Sequence, residues 1–280
     1  MTKGAVLIAR NNSQVDYVKQ AYFLAKRIRK YLDLPTTLIT DNVAYLKKQY
    51  SDSDNVFDNV IEIPSVTNYH HRNYKDGLYS RTNLEFKNTS RCDIFELTPY
   101  NETLLMDTDF IVSNSELKSA FEQPKDLLMY DSAFDLAGWR DTSEFNYISP
   151  TGIKFYWATV VYFKKTAETK HFFDLVKHIQ LNWSHYRSVY QIKNITFRND
   201  FAFSIAAHMI GGFVTNDFVG KMPGTMYYTI DKDLCHSIQD STFKFLVENT
   251  NSSNYFPVIV KDSNIHIMNK FSLNRAIDES

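Results

Sequence analysis

The chain has 280 residues, of which 44% are hydrophobic and 22% charged, with a net charge of -1. That balance supports an ordinary buried core in one domain or two, and it excludes nucleic-acid binding driven by bulk positive charge. Only two cysteines, Cys92 and Cys235, in a chain of this size point to a reducing compartment, and they form no CxxC or zinc-knuckle spacing.

Residues 5–9, Ala-Val-Leu-Ile-Ala, read as a buried first strand that ends in the polar loop Arg10-Asn11-Asn12-Ser13. This apolar run is far too short for a signal-peptide core, and no later run approaches a membrane span, so a cytoplasmic location is expected. A helix follows, because Tyr17, Ala21, Leu24, Ile28 and Tyr31 recur at spacings of four and three, and Pro35 lies just past its end. Residues 37–40 read as a second strand stopping at Asp41-Asn42. A short helix through Leu46 and a strand at 60–63, closed by Pro64, continue the alternation. Strands alternating with helices imply a parallel sheet with right-handed crossovers. The polar, aromatic and basic segment 69–79 reads as a loop, and residues 81–95 as a helix.

Pro99-Tyr100 precedes the stretch that carries the most chemistry, Leu104-Leu105-Met106-Asp107-Thr108-Asp109-Phe110-Ile111-Val112. Two aspartates one residue apart share a side of an extended chain. Where a strand ends between two apolar runs, both carboxylates project from its C-terminal tip, which is where open α/β sheets bind ligands. Like charges that close repel, and a hard divalent cation removes the cost while leaving positions for phosphate oxygens. The bland alternative is a strand leaving the core with its aspartates solvated in a turn.

Further on, residues 127–130 and 159–163 read as strands. Residues 167–186 read as a helix with Phe172, Val176, Ile179 and Trp183 on one face. Another helix spans 199–209, stopped by Gly211-Gly212, and residues 257–260 and 265–268 read as late strands. No internal repeat or heptad array is present.

Taken in order, these segments resemble a GT-A glycosyltransferase of the glycogenin-like and lipopolysaccharide-galactosyltransferase group, glycosyltransferase family eight. The block from Pro99 through Asp109 is similar to that family's proline-aromatic, strand, Asp-x-Asp element. Trp157-Ala158-Thr159-Val160-Val161-Tyr162-Phe163 resembles its second central strand, without the usual glycine. Arg198-Asn199-Asp200 resembles its Asp-Gln block. Ile265-His266-Ile267-Met268-Asn269-Lys270 resembles its C-terminal His-x-x-Gly-x-Lys block, with Met268 and Asn269 in place of small residues.

The resemblance implies one α/β domain with a mixed, mainly parallel sheet flanked by helices. About 1–112 would bind the nucleotide and about 113–280 the acceptor, both halves sharing the sheet. It further implies retaining transfer of a sugar from a nucleoside-diphosphate sugar, UDP-sugar favoured, to a carbohydrate, glycolipid or protein acceptor, assisted by Mn²⁺ or Mg²⁺. Asp107 and Asp109 would bind the metal, with His266 as the third ligand; the plain alternative for His266 is a satisfied core histidine. Lys270 would contact the diphosphate or be a surface lysine. Asp200 would stand at the reacting centre, while also suiting the first turn of a helix. Ala9, Asn11, Tyr17, Arg81, Lys87 and Thr108 are candidates for base, ribose or phosphate contacts. Tyr17 equally fits the apolar stripe of its helix, and Arg81 and Lys87 equally fit a solvated helix face. Asp131 and Asp135 are weaker candidates for sugar hydroxyls. Trp139 and Trp157 suit core packing better than stacking on sugars.

Two other function classes compete. A haloacid-dehalogenase-like phosphatase also carries Asp-x-Asp after an apolar strand, with the first aspartate, here Asp107, as nucleophile. That motif normally opens its domain, whereas here about a third of the chain precedes it, and no Gly-Asp-x-x-x-Asp follows. A nucleotidyltransferase is disfavoured because no glycine-rich basic loop follows the first strand. The non-enzyme alternative is a carbohydrate-binding protein on a degenerate transferase fold.

Overall fold

The computed structural model describes residues 2–65, 70–87, 90–148, 152–194, 196–214, 217–252 and 254–280. The strands are β1 (Lys3–Ala9), β2 (Thr36–Thr40), β3 (Asn59–Glu62), β4 (His70–Asp76), β5 (Ser80–Phe86), β6 (Glu102–Met106), β7 (Phe110–Ile111) and β8 (Leu127–Tyr130). They continue with β9 (Phe134–Asp135), β10 (Trp157–Lys164), β11 (Gly220–Lys221), β12 (Met226–Thr229), β13 (Leu234–Gln239), β14 (Thr242–Asn249), β15 (Asn254–Lys261) and β16 (Asn264–Ile267). The α-helices are α1 (Tyr17–Arg27), α2 (Val43–Gln49), α3 (Ser53–Val56), α4 (Ile94–Leu97), α5 (Ala167–Leu181), α6 (Trp183–Val189), α7 (Asn199–Ile210) and α8 (Lys270–Asp278).

Among the described residues the main sheet has seven strands in the order β11-β8-β10-β6-β1-β2-β3. Its β1–β2, β1–β6, β2–β3 and β8–β11 pairs are parallel, and only β10 runs antiparallel to its neighbours β6 and β8. This is the mixed, mainly parallel α/β sheet that the resemblance implies, and the antiparallel β10 is what the alternation of strands and helices alone does not show. In β1 every residue after Lys3 is buried, because helices cover both faces of a parallel sheet. Asp16 starts α1 by accepting from Lys19 N–H at 2.9 Å. Val18, Ala21, Leu24 and Ala25 of α1 are fully buried. A π turn, Ile28–Leu32, extends the helix to Asp33, which closes it in the left-handed region at φ 54°.

Three expectations are corrected. Residues 81–95 do not form a helix: β4 and β5 make a hairpin, followed by a 3₁₀ turn at Ser90–Asp93 and the single turn α4. The signals were an Asp76-Gly77 turn, with Gly77 at φ 80°, and period-two burial that points Leu84 inward between exposed Arg81 and Asn83 on one side and Glu85 on the other. The same hairpin replaces the loop read at 69–79, of which Tyr69 lies outside the described residues. Finally, the second half does not simply join one sheet. Only β8, β10 and β11 do so, while β7-β16-β12-β9 form a four-stranded sheet and β13-β14-β15 a three-stranded one. These carry a separate apolar cluster that includes Phe243, Phe245, Val247 and Leu273.

Asp135 belongs to the scaffold rather than to a ligand cavity. Arg140 bridges it to Asp233, with Nε to Asp135 Oδ1 at 2.9 Å and Nη2 to Asp233 Oδ2 at 2.8 Å. Asp233 is itself 1% exposed. Arg140→Met leaves two buried carboxylates facing each other with no cation, and removing one partner of such a network costs about 3 kcal/mol or more. Urea unfolding of the variant should show that loss; an unchanged midpoint would mean the network adds nothing.

Candidate functional site

Strand β6 ends at Met106 on the C-terminal edge of the main sheet, and the chain there turns out of it. Asp107 N–H donates to the Thr159 carbonyl of β10 at 2.9 Å. After the Asp107-Thr108-Asp109 turn, β7 pairs antiparallel with β16, opposing Phe110 to His266. Ile267 N–H closes the junction on the Asp109 carbonyl at 2.9 Å. Passing from one sheet to the other therefore sets the late histidine beside the two aspartates, 157 residues after Asp109 (266 − 109). One ligand atom from each of Asp107, Asp109 and His266 lies within 4.8 Å of the others.

The chain itself offsets part of the charge of the two carboxylates. Arg91, 2% exposed, donates to Asp107 Oδ1 and to the Ala158 carbonyl. Lys270, at the start of α8, places its ammonium 2.6 Å from Asp109 Oδ2. Burial pushes the Asp107 carboxyl up, Arg91 pulls it down, and the Asp109 charge adds to the rise. Burial also works against a charged Asp109, but Lys270 and His266 outweigh it and hold this carboxyl well below the usual range. Arg91 and Lys270 thus offset only part of the repulsion between the aspartates, and the Asp107 carboxyl stays pushed up to about 6.

The donor set does suit an ion. Two carboxylates and an imidazole are ligands for Mn²⁺-like cations. Their ligand atoms already lie within 4.8 Å of one another, so side-chain adjustment would let all three reach one ion. His266 Nδ1 lies 3.4 Å from Thr159 Oγ1, while Nε2 lies 3.4 Å from Asp109 Oδ1. Its ring is thereby oriented through one nitrogen with the other left for the cluster.

The cluster opens into a cavity of about 550 Å³. Tyr17, Lys87, Thr108, Asp200 and Lys270 line it together with the three cluster residues. Burial, ahead of the lowering effect of Lys270, raises the Tyr17 phenol above its ordinary range and keeps it neutral. The Thr108 hydroxyl turns away toward α1, donating to Gln20 Oε1 at 3.3 Å. Asp200, in the first turn of α7, accepts from Ala158 N–H at 2.9 Å and from Arg198 Nε at 3.1 Å and Nη2 at 2.8 Å. Burial disfavours its charge, but Arg198 and the Ala158 N–H prevail and lower its pKa.

Ala9, Asn11 and Arg81 are not part of the cavity wall. Ala9 is sealed inside the sheet. The Asn11 side chain is spent on the entry to α1, donating to Asp16 Oδ1 and accepting from Val18 N–H, both at 2.9 Å. Arg81 lies exposed on the hairpin opposite Lys75, because the segment it was expected to open as a helix is a strand. Asp131 is engaged by Lys154 at 2.6 Å. Trp157 is core, at 1% exposed, whereas Trp139 is half exposed and edge-on to Phe256, against the expectation of core packing.

Arg91, Arg10 and Arg72 escaped the sequence reading. A buried arginine leaves no periodic signature, and Arg91 sits in a 3₁₀ turn of four residues. The C-terminal block carries Asn269 where the resembled block has a small residue. Asn269 caps α8 through Ser272 N–H at 2.9 Å and donates to the Asp231 carbonyl at 2.9 Å, a structural use of the side chain that glycine lacks.

No family model and no curated protein sequence matches the chain. Among the solved structures it resembles are glycosyltransferases. GlyE of Streptococcus pneumoniae TIGR4 aligns at a TM-score of 0.44 and 13% identity, covering 79% of this chain and 45% of that one. This chain therefore spans less than half the length of GlyE. The galactosyltransferase LgtC, in complex with donor and acceptor sugar analogues, aligns at 0.45 and 13% identity over 73% of this chain and 70% of its own. An active-site mutant of LgtC aligns at 0.48 and 15% identity, covering 78% and 72%. No helix among the described residues is long and apolar enough to cross a membrane.

Proposed function

We propose that this chain is a divalent-metal-dependent glycosyltransferase that moves a sugar from a nucleoside-diphosphate sugar, with UDP favoured, to a carbohydrate, glycolipid or protein acceptor with retention of configuration. The observation that carries this reading is the Asp107, Asp109 and His266 cluster at the carboxyl edge of β6, opening into one cavity with Lys270 and Asp200. These three side chains would hold Mn²⁺ or Mg²⁺, which as a Lewis acid offsets the charge that builds on a departing diphosphate. Lys270 adds a fixed ammonium beside Asp109 for the phosphate oxygens. Asp200, on the β10 side of the cluster, is held by Arg198 and the Ala158 N–H and serves the sugar and acceptor. In this assignment the half spanning 1–112 binds the nucleotide, and 113–280 binds the acceptor, within one domain.

A thermal-shift panel of sugar nucleotides with Mn²⁺, followed by transfer and hydrolysis measurements on the best of them, tests the reading. A ligand that binds only the folded chain raises its apparent stability. Metal-dependent release of free sugar from a sugar nucleotide supports it. Phosphate release from phosphomonoesters, with Asp107 phosphorylated, would replace it by the phosphatase. Binding of sugars without turnover would replace it by the carbohydrate-binding protein.

His266→Ala is expected to weaken metal-dependent nucleotide binding roughly 10- to 100-fold, the range for damage to a metal's surroundings. Calorimetric titration of Mn²⁺ and nucleotide into the variant reads this directly. Normal binding would return His266 to the role of a core histidine packed edge-on against Trp157.

A further inference from the structure

The β4–β5 hairpin is the wall of the cavity that the proposed chemistry leaves unused. Among the described residues it pairs with no other sheet, yet it is fastened at both ends. At the tip, Arg275 of α8 grips Asp76 with two hydrogen bonds of 2.8 Å. Lys75 N–H donates to Asp231 Oδ2 at 2.8 Å, and Leu78 N–H to the Tyr255 hydroxyl at 2.9 Å. At the base, Asn12 Nδ2 donates to the Glu85 carbonyl at 3.0 Å. The hairpin is thus a strap from the loop after β1 to the C-terminal sheets, and it lines the cavity along the way.

Arg72 is the cation this strap carries inward. Its guanidinium lies over the Phe86 ring, 3.6 Å from the centroid, and donates from Nη2 to the Phe197 carbonyl, just ahead of Arg198 and Asp200. Its Nε is buried and has no hydrogen-bond partner among the described residues. Tyr74, two residues along and so on the same face of β4, sits beneath Lys270, whose ammonium is 5.2 Å from the ring centroid. Arg72 therefore shares a side of the strap with the Lys270–Asp109 pair.

Charge balance sets Arg72 apart. The other lysine and arginine side chains on the cavity wall each have a carboxylate within 4 Å: Arg10 to Asp41 at 3.9 Å, Lys87 to Glu85 at 3.4 Å, Arg198 to Asp200 at 2.8 Å and Lys270 to Asp109 at 2.6 Å. Among the described residues Arg72 has none. A guanidinium pinned on an aromatic face on the cavity wall, with no carboxylate counter-charge among the described residues, is pre-organised for a phosphate. It also stands between the nucleotide side, through Phe86 and its neighbour Lys87, and the sugar side, through Phe197. The diphosphate of a sugar nucleotide lies between those two parts of the molecule.

We infer that Arg72 is a second cationic contact to the donor's diphosphate, delivered by the hairpin in addition to Lys270. This rests on the glycosyltransferase reading above. Calorimetry in Mn²⁺ compares the nucleoside diphosphate and monophosphate of the base chosen by the sugar-nucleotide panel, UDP and UMP in the favoured case. Arg72→Ala is expected to weaken the diphosphate about 10- to 100-fold, and the monophosphate much less. Arg72→Lys should recover part of the loss, since it restores the charge but not the fork. Arg72→Gln retains the stem over Phe86 and a donor for Phe197, so it tests the charge even if the alanine variant does not fold. Arg81→Ala, on the same hairpin but outside the cavity, should bind as the wild type does. Diphosphate affinity within twofold of wild type in Arg72→Gln, or equal losses for diphosphate and monophosphate, would overturn the assignment of Arg72 alone. A wild-type chain that binds no nucleoside diphosphate would overturn the function it rests on.

Discussion

Asp109→Asn is expected to lower sugar transfer by about 10³-fold or more while the chain stays folded, because it removes a charged ligand from the site that answers the diphosphate. The amide keeps the shape of the side chain and its main-chain partner, the Ile267 N–H on the Asp109 carbonyl at 2.9 Å. It also leaves the Lys270 ammonium without its counter-charge in a site only 11% exposed at that side chain. Some stability should go with the charge, since an unpaired buried ion is costly. Circular dichroism and thermal unfolding separate that loss from the loss of turnover. Wild-type turnover in the folded variant would reduce the Asp-x-Asp to a turn braced by Arg91 and Lys270.

Asp200→Asn is expected to reduce kcat by about 10²- to 10⁴-fold, the range for a positioned group acting in the transition state, with donor affinity nearly unchanged. Both Asp200 oxygens are occupied, one by the Ala158 N–H and the other by Arg198. An asparagine that keeps the first bond must turn its NH₂ toward the Arg198 guanidinium, donor against donor. The variant therefore removes the charge and also unseats Arg198. Measuring kcat and donor affinity separately distinguishes transition-state from ground-state interactions. If donor binding is lost and turnover at saturation is unchanged, Asp200 is a donor ligand. The reacting group is then to be sought in Glu144 or Asp231, carboxylates of the same cavity, rather than in Asp135, which Arg140 has locked into the scaffold.

What the sequence disclosed follows how periodic each segment is. The first strand, the helix after it and the second strand were readable because continuous burial and a 3.6-residue stripe extend over whole elements. The Asp-x-Asp was readable because it interrupts an apolar run. Strands of two residues, β7 and β9, are too short to show a period, so the second sheet was invisible. That sheet is what carries His266 to Asp109, and only the ordered resemblance of the C-terminal block pointed to it. In the hairpin the polar character of 69–79 hides the Asp76-Gly77 turn. A helix at 81–95 would present Arg81, whereas the hairpin presents Arg72 to the cavity and the 3₁₀ turn after it sets Arg91 behind Asp107. The register of a non-local strand pair and the partner of a buried arginine are set by tertiary packing, which local pattern does not encode.

The most direct measurement is calorimetric titration of UDP into the chain with Mn²⁺, without it, and with Mn²⁺ followed by EDTA. Binding that requires the cation and disappears on chelation is the result predicted from Asp107, Asp109 and His266 converging on one point. Equal affinity in all three conditions would contradict the metal site.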